Sequence, residues 1–447
     1  MNQIFHKMRK ITIITTIITA IIFSGCGQIN REASDTNSKK SDKSKQEKVI
    51  LTDTEFKTYE ELGIMVGNPP SKEKQVTKAN WIHPPYNRWS YQNIRKILPT
   101  APLGFGKTPV PLKKEISKIL DNKFSIEGEF YGIDEIMKHT YGDALLVVHN
   151  GIIIGERYEN SMTESQPHVF FSMTKSYTGT IMQLLIDEGK LEKSNLVEDY
   201  IVELKGSDYG SATVDQILNM EAGFYGKEDM SDPESPVIKM AEAMGSLPTA
   251  STNGIFDYLP KLKKTEEHGT AFRYVSTTTE VAGWLISKAT GKGYDEVLRE
   301  KIWAKLGTED EGYLMVDNKG KGLSTGGGVG SARDLAKFGH MIINDGMING
   351  VQVVPKHIIE KMRDKGNSEK WELGDFADME GFTYNSYWYQ TNNNEGVFLA
   401  MGIHGQFLYL NPDKNLVIVK FASQPLTEDP EKDLIWWYVF NQIAERL

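Results

Sequence analysis

The spacing of apolar and polar positions predicts a sheet that both ends of the chain build together. Residues 144–149 and 152–155 are apolar runs separated by Asn150-Gly151, a dipeptide typical of tight β-hairpin turns. Near the C-terminus, short apolar runs at 396–401, 407–410 and 416–422 are separated by polar turns. We therefore expect a hairpin near residue 150 and three further strands after residue 395.

Helical periodicity predicts the elements between these strands. Residues 170–189 carry a broad apolar face and end at a glycine, so we expect a buried helix there. Further helices are predicted at 280–290, 295–306 and 331–344 and from about Asp433 onward. The predicted fold class is α+β, an antiparallel sheet flanked by helices, with a helical subdomain inserted at about 190–270, where short helical patterns alternate with polar loops.

The first 26 residues have the pattern of an export signal. A basic start at residues 1–10 precedes an apolar stretch at 11–23, and Ser24-Gly25-Cys26 follows. Because the chain's single cysteine directly follows small residues, the segment resembles a bacterial lipoprotein signal, in which that cysteine is lipidated and becomes the new N-terminus. An ordinary secretory cleavage that leaves Cys26 free is the other interpretation.

The segment after this signal is polar. Residues 27–50 are rich in Ser, Lys, Asp and Asn, and such a segment cannot bury enough apolar surface to offset its ordering entropy. We predict a flexible tether over residues 27–75 and one folded domain over residues 76–447. With lipid on Cys26, the protein would be anchored to the cell membrane on its extracytoplasmic face.

Composition and charge exclude several classes of protein. Hydrophobic residues make up 39% and charged residues 25% of the 447 residues, as in soluble globular proteins. The net charge is −9, and residues 1–50 carry nine Lys or Arg against four Asp or Glu, so the remainder is strongly acidic and we expect no nucleic-acid partner. One cysteine and scattered histidines give no zinc motif and no disulfide framework, and we expect no cofactor. Metal binding by carboxylates alone stays open.

Two short motifs lack the structural context that their chemistry needs. Residues 104–108 look like the end of a phosphate loop, but Ala101 stands where that loop needs glycine, and Pro109 blocks the helix that should follow. Residues 322–326 match G-x-S-x-G around Ser324, yet a polar segment precedes them and further glycines separate them from the next helix. We therefore predict neither nucleotide binding nor a nucleophile at Ser324.

Ser172 and Lys175 are the strongest candidates for chemistry. Their pattern, S-x-x-K, is frequent by chance and occurs again at residues 71–74 in a polar stretch. Ser172, however, opens the predicted buried helix, and Lys175 lies on the same helical face three residues later. Burial disfavours a charged amine, and a neutral amine can accept the serine proton. The other interpretation is a serine that caps the helix, with a lysine that extends to solvent.

Two later segments strengthen this candidate. Tyr274-Val275-Ser276 precedes an apolar helix, and an apolar strand ends in Gly402-Ile403-His404-Gly405. Together with residues 171–176, these segments resemble the class C β-lactamase-like serine hydrolases, and in particular the 6-aminohexanoate-dimer hydrolase group. The resemblance extends over most of residues 80–445.

The resemblance implies a role for each of these residues. Ser172 would be the nucleophile, Lys175 its base, and Tyr274 the group that passes the proton to the leaving group. The backbone amides of Ser172 and Ile403 would form the oxyanion hole. The substrate cleft would include Ser276, Met230 and His404.

Two residues depart from the enzymes that the chain resembles. Ala400 stands where penicillin-recognising enzymes carry the lysine of their Lys-Thr-Gly strand, which implies weak turnover of β-lactams and D-Ala peptides. Met230 stands where relatives that cut the nylon dimer have a tyrosine, which implies weak cleavage of oligoamides. Simple packing of Met230 is the other interpretation.

We therefore predict a serine hydrolase that cleaves a small-molecule ester or amide through an acyl-enzyme. A penicillin-interactive peptidase or weak β-lactamase is the alternative among enzymes. A non-catalytic tethered binding or sensor lipoprotein is the alternative from another class, because the export signal and the tether suit it equally well.

Overall fold

The computed structural model describes residues 51, 56–224, 232–249 and 253–447. Two residues that the sequence analysis singles out, Cys26 for lipidation and Met230 for the substrate cleft, lie outside this part of the chain.

The main sheet has eight strands and joins the two ends of the chain. In spatial order the strands are Thr383–Asn385, Trp388–Gln390, Phe398–Gly402, Gln406–Asn411, Leu416–Ala422, Gly142–His149, Ile152–Tyr158 and Lys113–Lys114. Neighbouring strands are antiparallel except for the last pair. The C-terminal strands pair with the N-terminal hairpin at its first strand, so the predicted sheet built from both ends of the chain is confirmed.

The hairpin at the centre of this sheet follows from its turn residues. Asn150 and Gly151 have φ angles of 53° and 74°, the left-handed conformation that a two-residue hairpin turn requires at both positions. Every residue from Gly142 to Val148 is buried, because this strand has a neighbour on each side and helices on both faces.

A smaller antiparallel sheet leads into the candidate site. Its strands, in spatial order, are Thr100–Gly104, Gly312–Met315, Gly328–Gly330 and His168–Val169. The last of these strands ends three residues before Ser172 and positions the turn that carries it. Two small hairpins complete the described strands, Phe124–Ile126 with Glu129–Tyr131 and Met347–Ile348 with Val351–Gln352.

The predicted longer helices are present with shifted ends. The described α-helices are Asn87–Ser90, Ile133–His139, Thr174–Asp187, Val214–Leu218, Pro236–Met244, Ile255–Tyr258, Ser276–Thr290, Tyr294–Lys301, Ala332–Ile343, Lys356–Arg363, Ser368–Glu372 and Pro430–Glu445. The last one begins before Asp433 because the Asp429 carboxylate accepts a hydrogen bond from the Lys432 amide and caps the helix. None of the described helices combines the length and the apolar character that a membrane-spanning segment needs.

Short 3₁₀ helices connect several of these elements. They are Lys72–Lys74, Ile94–Lys96, Phe171–Met173, Val197–Asp199, Val202–Leu204, Leu259–Lys261 and Trp303–Lys305. Within the described part of the predicted insertion at about 190–270, short helices and loops account for the chain, and no strand of two or more residues occurs there. The insertion ends at the segment that leads to Tyr274.

Two helices cover opposite faces of the main sheet. Ala332–Ile343 approaches one face through Gly339, where an added Cβ would lie 3.0 Å from Leu408 Cδ1. The neighbouring residue Phe407 contacts Phe440 of the C-terminal helix, with ring centres 5.7 Å apart. Because side chains alternate along a strand, adjacent residues point to opposite faces, so the two helices enclose the sheet.

The packed body begins earlier than predicted. The flexible tether is predicted to extend to residue 75, yet Ile64 is 1% exposed and the Tyr59 amide donates to Asn160 Oδ1 at 3.0 Å. The ring of Phe56 lies 4.5 Å from the Arg88 guanidinium. Isolated apolar residues in a polar stretch dock onto the body, which corrects the tether's predicted boundary at residue 75.

Candidate active site

Ser172 lies in a tight turn between a strand and a helix. The 3₁₀ turn Phe171–Met173 follows the strand His168–Val169 and leads directly into the helix Thr174–Asp187. Phe171 has a φ of 46°, an uncommon conformation for a bulky residue, and such strain is concentrated at functional sites. Ser172 is partly exposed while its neighbours Phe171 and Met173 are buried, so its side chain is the accessible one in this turn.

Lys175 points from the first turn of this helix back to Ser172. Its Nζ donates to Ser172 Oγ at 2.7 Å, to Ser276 Oγ at 3.3 Å and to the Thr325 carbonyl at 3.2 Å. The residue is only 2% exposed, which contradicts the interpretation that it extends to solvent. Among the described residues, these three oxygens are the hydrogen-bond partners of the amine, and none of them belongs to a carboxylate.

Tyr274 forms the wall on the other side of the lysine. Its ring centre lies 4.9 Å from Lys175 Nζ, and its side chain is partly exposed. The Tyr274 amide donates to Asp375 Oδ2 at 2.8 Å, and Arg273 donates to the other oxygen of the same carboxylate at 3.0 Å. The ring of Tyr274 also stacks on that of the buried Tyr389, with ring centres 6.2 Å apart. These contacts hold the segment that precedes the helix Ser276–Thr290.

A fully buried carboxyl group lies behind Lys175, and sequence reasoning missed it. Glu280 Oε1 accepts from the Thr325 amide at 2.9 Å, and Oε2 accepts from the Ser324 hydroxyl at 3.2 Å. Burial raises the pKa of Glu280 to about 7, against the opposing effect of these donors. The signal in the sequence is a glutamate six residues after Tyr274, in a helix that is otherwise apolar or hydroxylic on its buried side.

Ser324 does not reach the cleft. It is fully buried, and its hydroxyl donates to the Thr279 carbonyl at 2.9 Å as well as to Glu280. The G-x-S-x-G match is therefore a glycine-rich loop, as the sequence context indicates.

The strand that ends at Gly402 passes close to the serine turn. A Cβ added at Gly402 would lie 2.8 Å from the Phe170 carbonyl oxygen and 3.2 Å from Phe171 Cβ, so only glycine fits without a shift of the backbone. Ile403 follows directly and is partly exposed. Ala400, two residues earlier on the same face of the strand, is buried.

Two residues predicted in the substrate cleft are buried instead. His404 is 2% exposed, and its Nδ1 lies 2.8 Å from the Gln424 carbonyl, so the cleft assignment of His404 is wrong. Its positive φ of 61° turns the side chain into the core, where it packs on Phe171, and burial lowers its pKa to about 4. Ser276 is 5% exposed and lies beside Lys175.

The carboxylates around this site are engaged by protein donors. Asp375 binds Arg273 and the Tyr274 amide, and Glu280 binds the loop at 324–325. In the residues that the structure covers, no group of three His, Cys, Asp or Glu is arranged to hold a metal ion.

Comparison with known proteins settles the family. A model of the beta-lactamase family matches residues 133–438, a range that includes Ser172, Lys175, Tyr274 and Ile403. The chain belongs to the beta-lactamase family. It is a serine hydrolase of that family, as the resemblance in its motifs predicts.

Two relatives in the family match most of the chain. The 6-aminohexanoate-dimer hydrolase of Paenarthrobacter ureafaciens is 31% identical over 368 residues, which cover 81% of this chain and 91% of the relative. A solved structure from Bacillus anthracis, assigned to the same hydrolase group, has a TM-score of 0.77 at 29% identity and covers 85% of this chain and 98% of its own.

A more distant structure shares the fold alone. The octameric penicillin-binding protein homologue from Pyrococcus abyssi has a TM-score of 0.53 at 19% identity, over 70% of this chain and 77% of its own. The predicted fold class, a β-lactamase- and peptidase-like α+β domain, is thereby confirmed.

Proposed function

We propose that the protein cleaves a small ester or amide through an acyl-enzyme formed on Ser172. The observation that carries this proposal is the 2.7 Å contact between Lys175 Nζ and Ser172 Oγ, with the lysine buried and the serine partly exposed. A nucleophile must reach its substrate, whereas its base works best where water does not solvate the charged amine. A binding or sensor protein has no need of this pair.

In the first half of the reaction, neutral Lys175 accepts the Ser172 proton while Oγ attacks the substrate carbonyl carbon. The amides of Ser172 and Ile403 donate to the oxyanion of the tetrahedral intermediate. Tyr274 gives its hydroxyl proton to the departing alkoxide or amine as the carbon–heteroatom bond breaks and takes the proton that Lys175 received, so the lysine is neutral again. An acyl ester on Ser172 and the free alcohol or amine result.

In the second half, water attacks the acyl ester and the same groups act in reverse. The proton of the water passes through the Tyr274 and Lys175 pair to Ser172 Oγ as the ester bond breaks. The acid product leaves, and the serine hydroxyl is restored with no net change in the enzyme.

The substrate class follows from what the strand at Ala400 lacks. A lysine there would bind a substrate carboxylate, but the alanine methyl group cannot. We therefore propose a small ester or amide as the preferred substrate, with β-lactam or D-Ala peptide turnover as a weaker activity. Because the relative from Paenarthrobacter ureafaciens is named for the 6-aminohexanoate dimer, that linear amide is among the substrates to be tried first.

We further propose that the enzyme is held at the extracytoplasmic face of the cell membrane by lipid on Cys26. The support is the order of basic, apolar and small residues before the chain's single cysteine, followed by a polar stretch. Two or three acyl chains are needed for stable anchoring, as in a bacterial lipoprotein.

A panel of substrates tests the proposed activity. p-Nitrophenyl esters, D-amino-acid amides, nitrocefin and linear oligoamides are compared with the wild type and the Ser172→Ala and Ser71→Ala variants. We expect ester or amide turnover that Ser172→Ala abolishes and Ser71→Ala retains, because Ser71 belongs to the exposed S-x-x-K match. Turnover that survives in Ser172→Ala would contradict the proposal.

A further inference from the structure

Glu280 is a buried carboxyl group to which the mechanism assigns no part. It lies in the first half of the helix Ser276–Thr290 and is fully buried. A charged carboxyl group in such a place destabilises the fold unless hydrogen-bond donors compensate for the lost water, so the donors around Glu280 decide whether its charge is tolerated. Among the described residues, the hydrogen-bond donors that reach it come from one short segment, Ser324 and Thr325.

This segment connects Glu280 to the lysine. The Thr325 amide donates to Glu280 Oε1 at 2.9 Å, while the Thr325 carbonyl accepts from Lys175 Nζ at 3.2 Å. The Ser324 hydroxyl and amide donate to Oε2 at 3.2 and 3.4 Å. The Glu280 carboxylate therefore fixes Ser324 and Thr325, and the carbonyl of Thr325 accepts a hydrogen bond from the Lys175 amine.

We propose that Glu280 is a positioning residue for the proton transfer, since its ionised carboxylate locks the loop at 324–325 and thereby aims Lys175 at Ser172. This inference rests on the proposed function, because it assigns the loop to the lysine that acts as base. Glu280 itself touches neither the nucleophile nor the substrate.

Protonation of Glu280 should release the loop. An ionised carboxylate only accepts hydrogen bonds, and the backbone amides of Ser324 and Thr325, which can only donate, face its two oxygens. The single hydrogen of the Ser324 hydroxyl is shared between the Thr279 carbonyl at 2.9 Å and Glu280 Oε2 at 3.2 Å. A protonated carboxyl group carries an O–H in place of one acceptor site and so opposes one of these donors. Because burial raises the pKa of Glu280 to about 7, the locked form is expected above neutral pH and the released form below it.

Three other ionisable side chains face Glu280. Lys175 faces it from the helix Thr174–Asp187, Tyr294 from the helix Tyr294–Lys301, and Tyr387 from the turn before the strand Trp388–Gln390. Burial raises the pKa of both tyrosines above the usual value for a tyrosine, so both stay neutral near pH 7. The experiment must therefore distinguish an effect of Glu280 from an effect of Lys175.

Kinetics on the full chain with a neutral p-nitrophenyl ester give the first part of the test. We expect Glu280→Gln to lower kcat about tenfold with little change in KM, less than the roughly hundredfold loss expected when a base is removed. In the wild type we expect kcat to fall as the pH is lowered through about 7. In Glu280→Gln this acid limb of the pH profile should be absent. As a matched control, Glu156→Gln, which removes a carboxylate paired with Lys114 and Arg333, should leave the profile unchanged.

The Ser324→Ala variant shows whether the acid limb of kcat is caused by Glu280 or by Lys175. This variant removes one donor from the carboxylate, which raises the pKa of Glu280 and should move the acid limb of kcat to higher pH. If the limb belonged to Lys175, a more easily protonated Glu280 would favour the neutral amine and move the limb to lower pH instead.

The outcomes are distinct. The inference is overturned if the acid limb persists in Glu280→Gln. It is also overturned if the limb in Ser324→Ala stays at the wild-type pH or moves to lower pH. Ester turnover that persists in Ser172→Ala overturns the proposed function itself. Circular dichroism and thermal unfolding of each variant establish that it is folded, and a kcat loss of equal size at every pH in Glu280→Gln would mean a merely structural role and also overturn the inference.

Discussion

Lys175 Nζ lies 2.7 Å from Ser172 Oγ, three residues along the chain and within hydrogen-bond distance before any substrate binds. The two residues differ in solvent exposure, because Lys175 is 2% exposed and Ser172 is partly exposed. A further contact, from Nζ to the Thr325 carbonyl, keeps the amine from following the serine outward. These contacts are the ones that the proposed proton transfer from Ser172 to Lys175 requires.

The first prediction concerns the charge of Lys175. Lys175→Ala and Lys175→Arg should each lower ester turnover at least about a hundredfold, because neither an alanine nor a guanidinium that stays charged can accept the serine proton. Steady-state kinetics with a p-nitrophenyl ester measure the effect. Lys74→Ala, in the other S-x-x-K match, is the control and should behave as the wild type does. Near-normal activity in Lys175→Arg would mean that the lysine serves only as a positive charge.

The second prediction concerns the close approach at Gly402. Gly402→Ala should lower kcat about tenfold or more, because its Cβ would lie 2.8 Å from the Phe170 carbonyl and would separate the Ile403 amide from the serine turn. Gly132→Ala is a matched control, since the nearest atom to its Cβ is the movable end of the Glu135 side chain at 3.3 Å. Equal kcat values for the two variants would argue against Ile403 in the oxyanion hole.

The third prediction links Glu280 to stability. Because burial raises the pKa of Glu280 from 4.5 to about 7, the folded protein binds a proton that the unfolded chain releases in this range. Glu280 should therefore lower the free energy of unfolding as pH rises from about 4.5 to about 7. Urea unfolding across this range should show a steeper decline for the wild type than for Glu280→Gln. Parallel curves would place the Glu280 pKa near its ordinary value.

The fourth prediction concerns the anchor. The wild type should partition with membranes, and Cys26→Ser should release the protein or leave the export signal uncleaved. Incorporation of radiolabelled palmitate and membrane fractionation measure this. A Cys26→Ser protein that is cleaved normally and stays with the membrane would return Cys26 to an ordinary residue near a secretory cleavage site.

Much of this architecture is encoded in local patterns. The central hairpin and Leu416–Ala422 were predictable because their apolar runs are bounded by strong turn residues. Ser172 and Lys175 were predictable because their helical spacing is local. His404 was misplaced because its side-chain direction depends on a positive φ that the sequence does not reveal.

Glu280 and the segment at 56–75 were missed for a different reason. The contacts of Glu280 with the loop at 324–325 join residues 44 and 45 positions apart, and the contact of Tyr59 with Asn160 joins residues 101 positions apart. Neither periodicity nor a short motif carries such information. A polar residue in an apolar helix signals only that it must have a partner somewhere in the fold.

The most direct test of the acyl-enzyme account is labelling of the full chain with a fluorophosphonate, followed by peptide mass mapping. The account predicts one adduct on Ser172, lost in Ser172→Ala and formed much more slowly in Lys175→Ala. An adduct that maps to Ser324 or to another serine, or labelling that persists unchanged in Ser172→Ala, would contradict it.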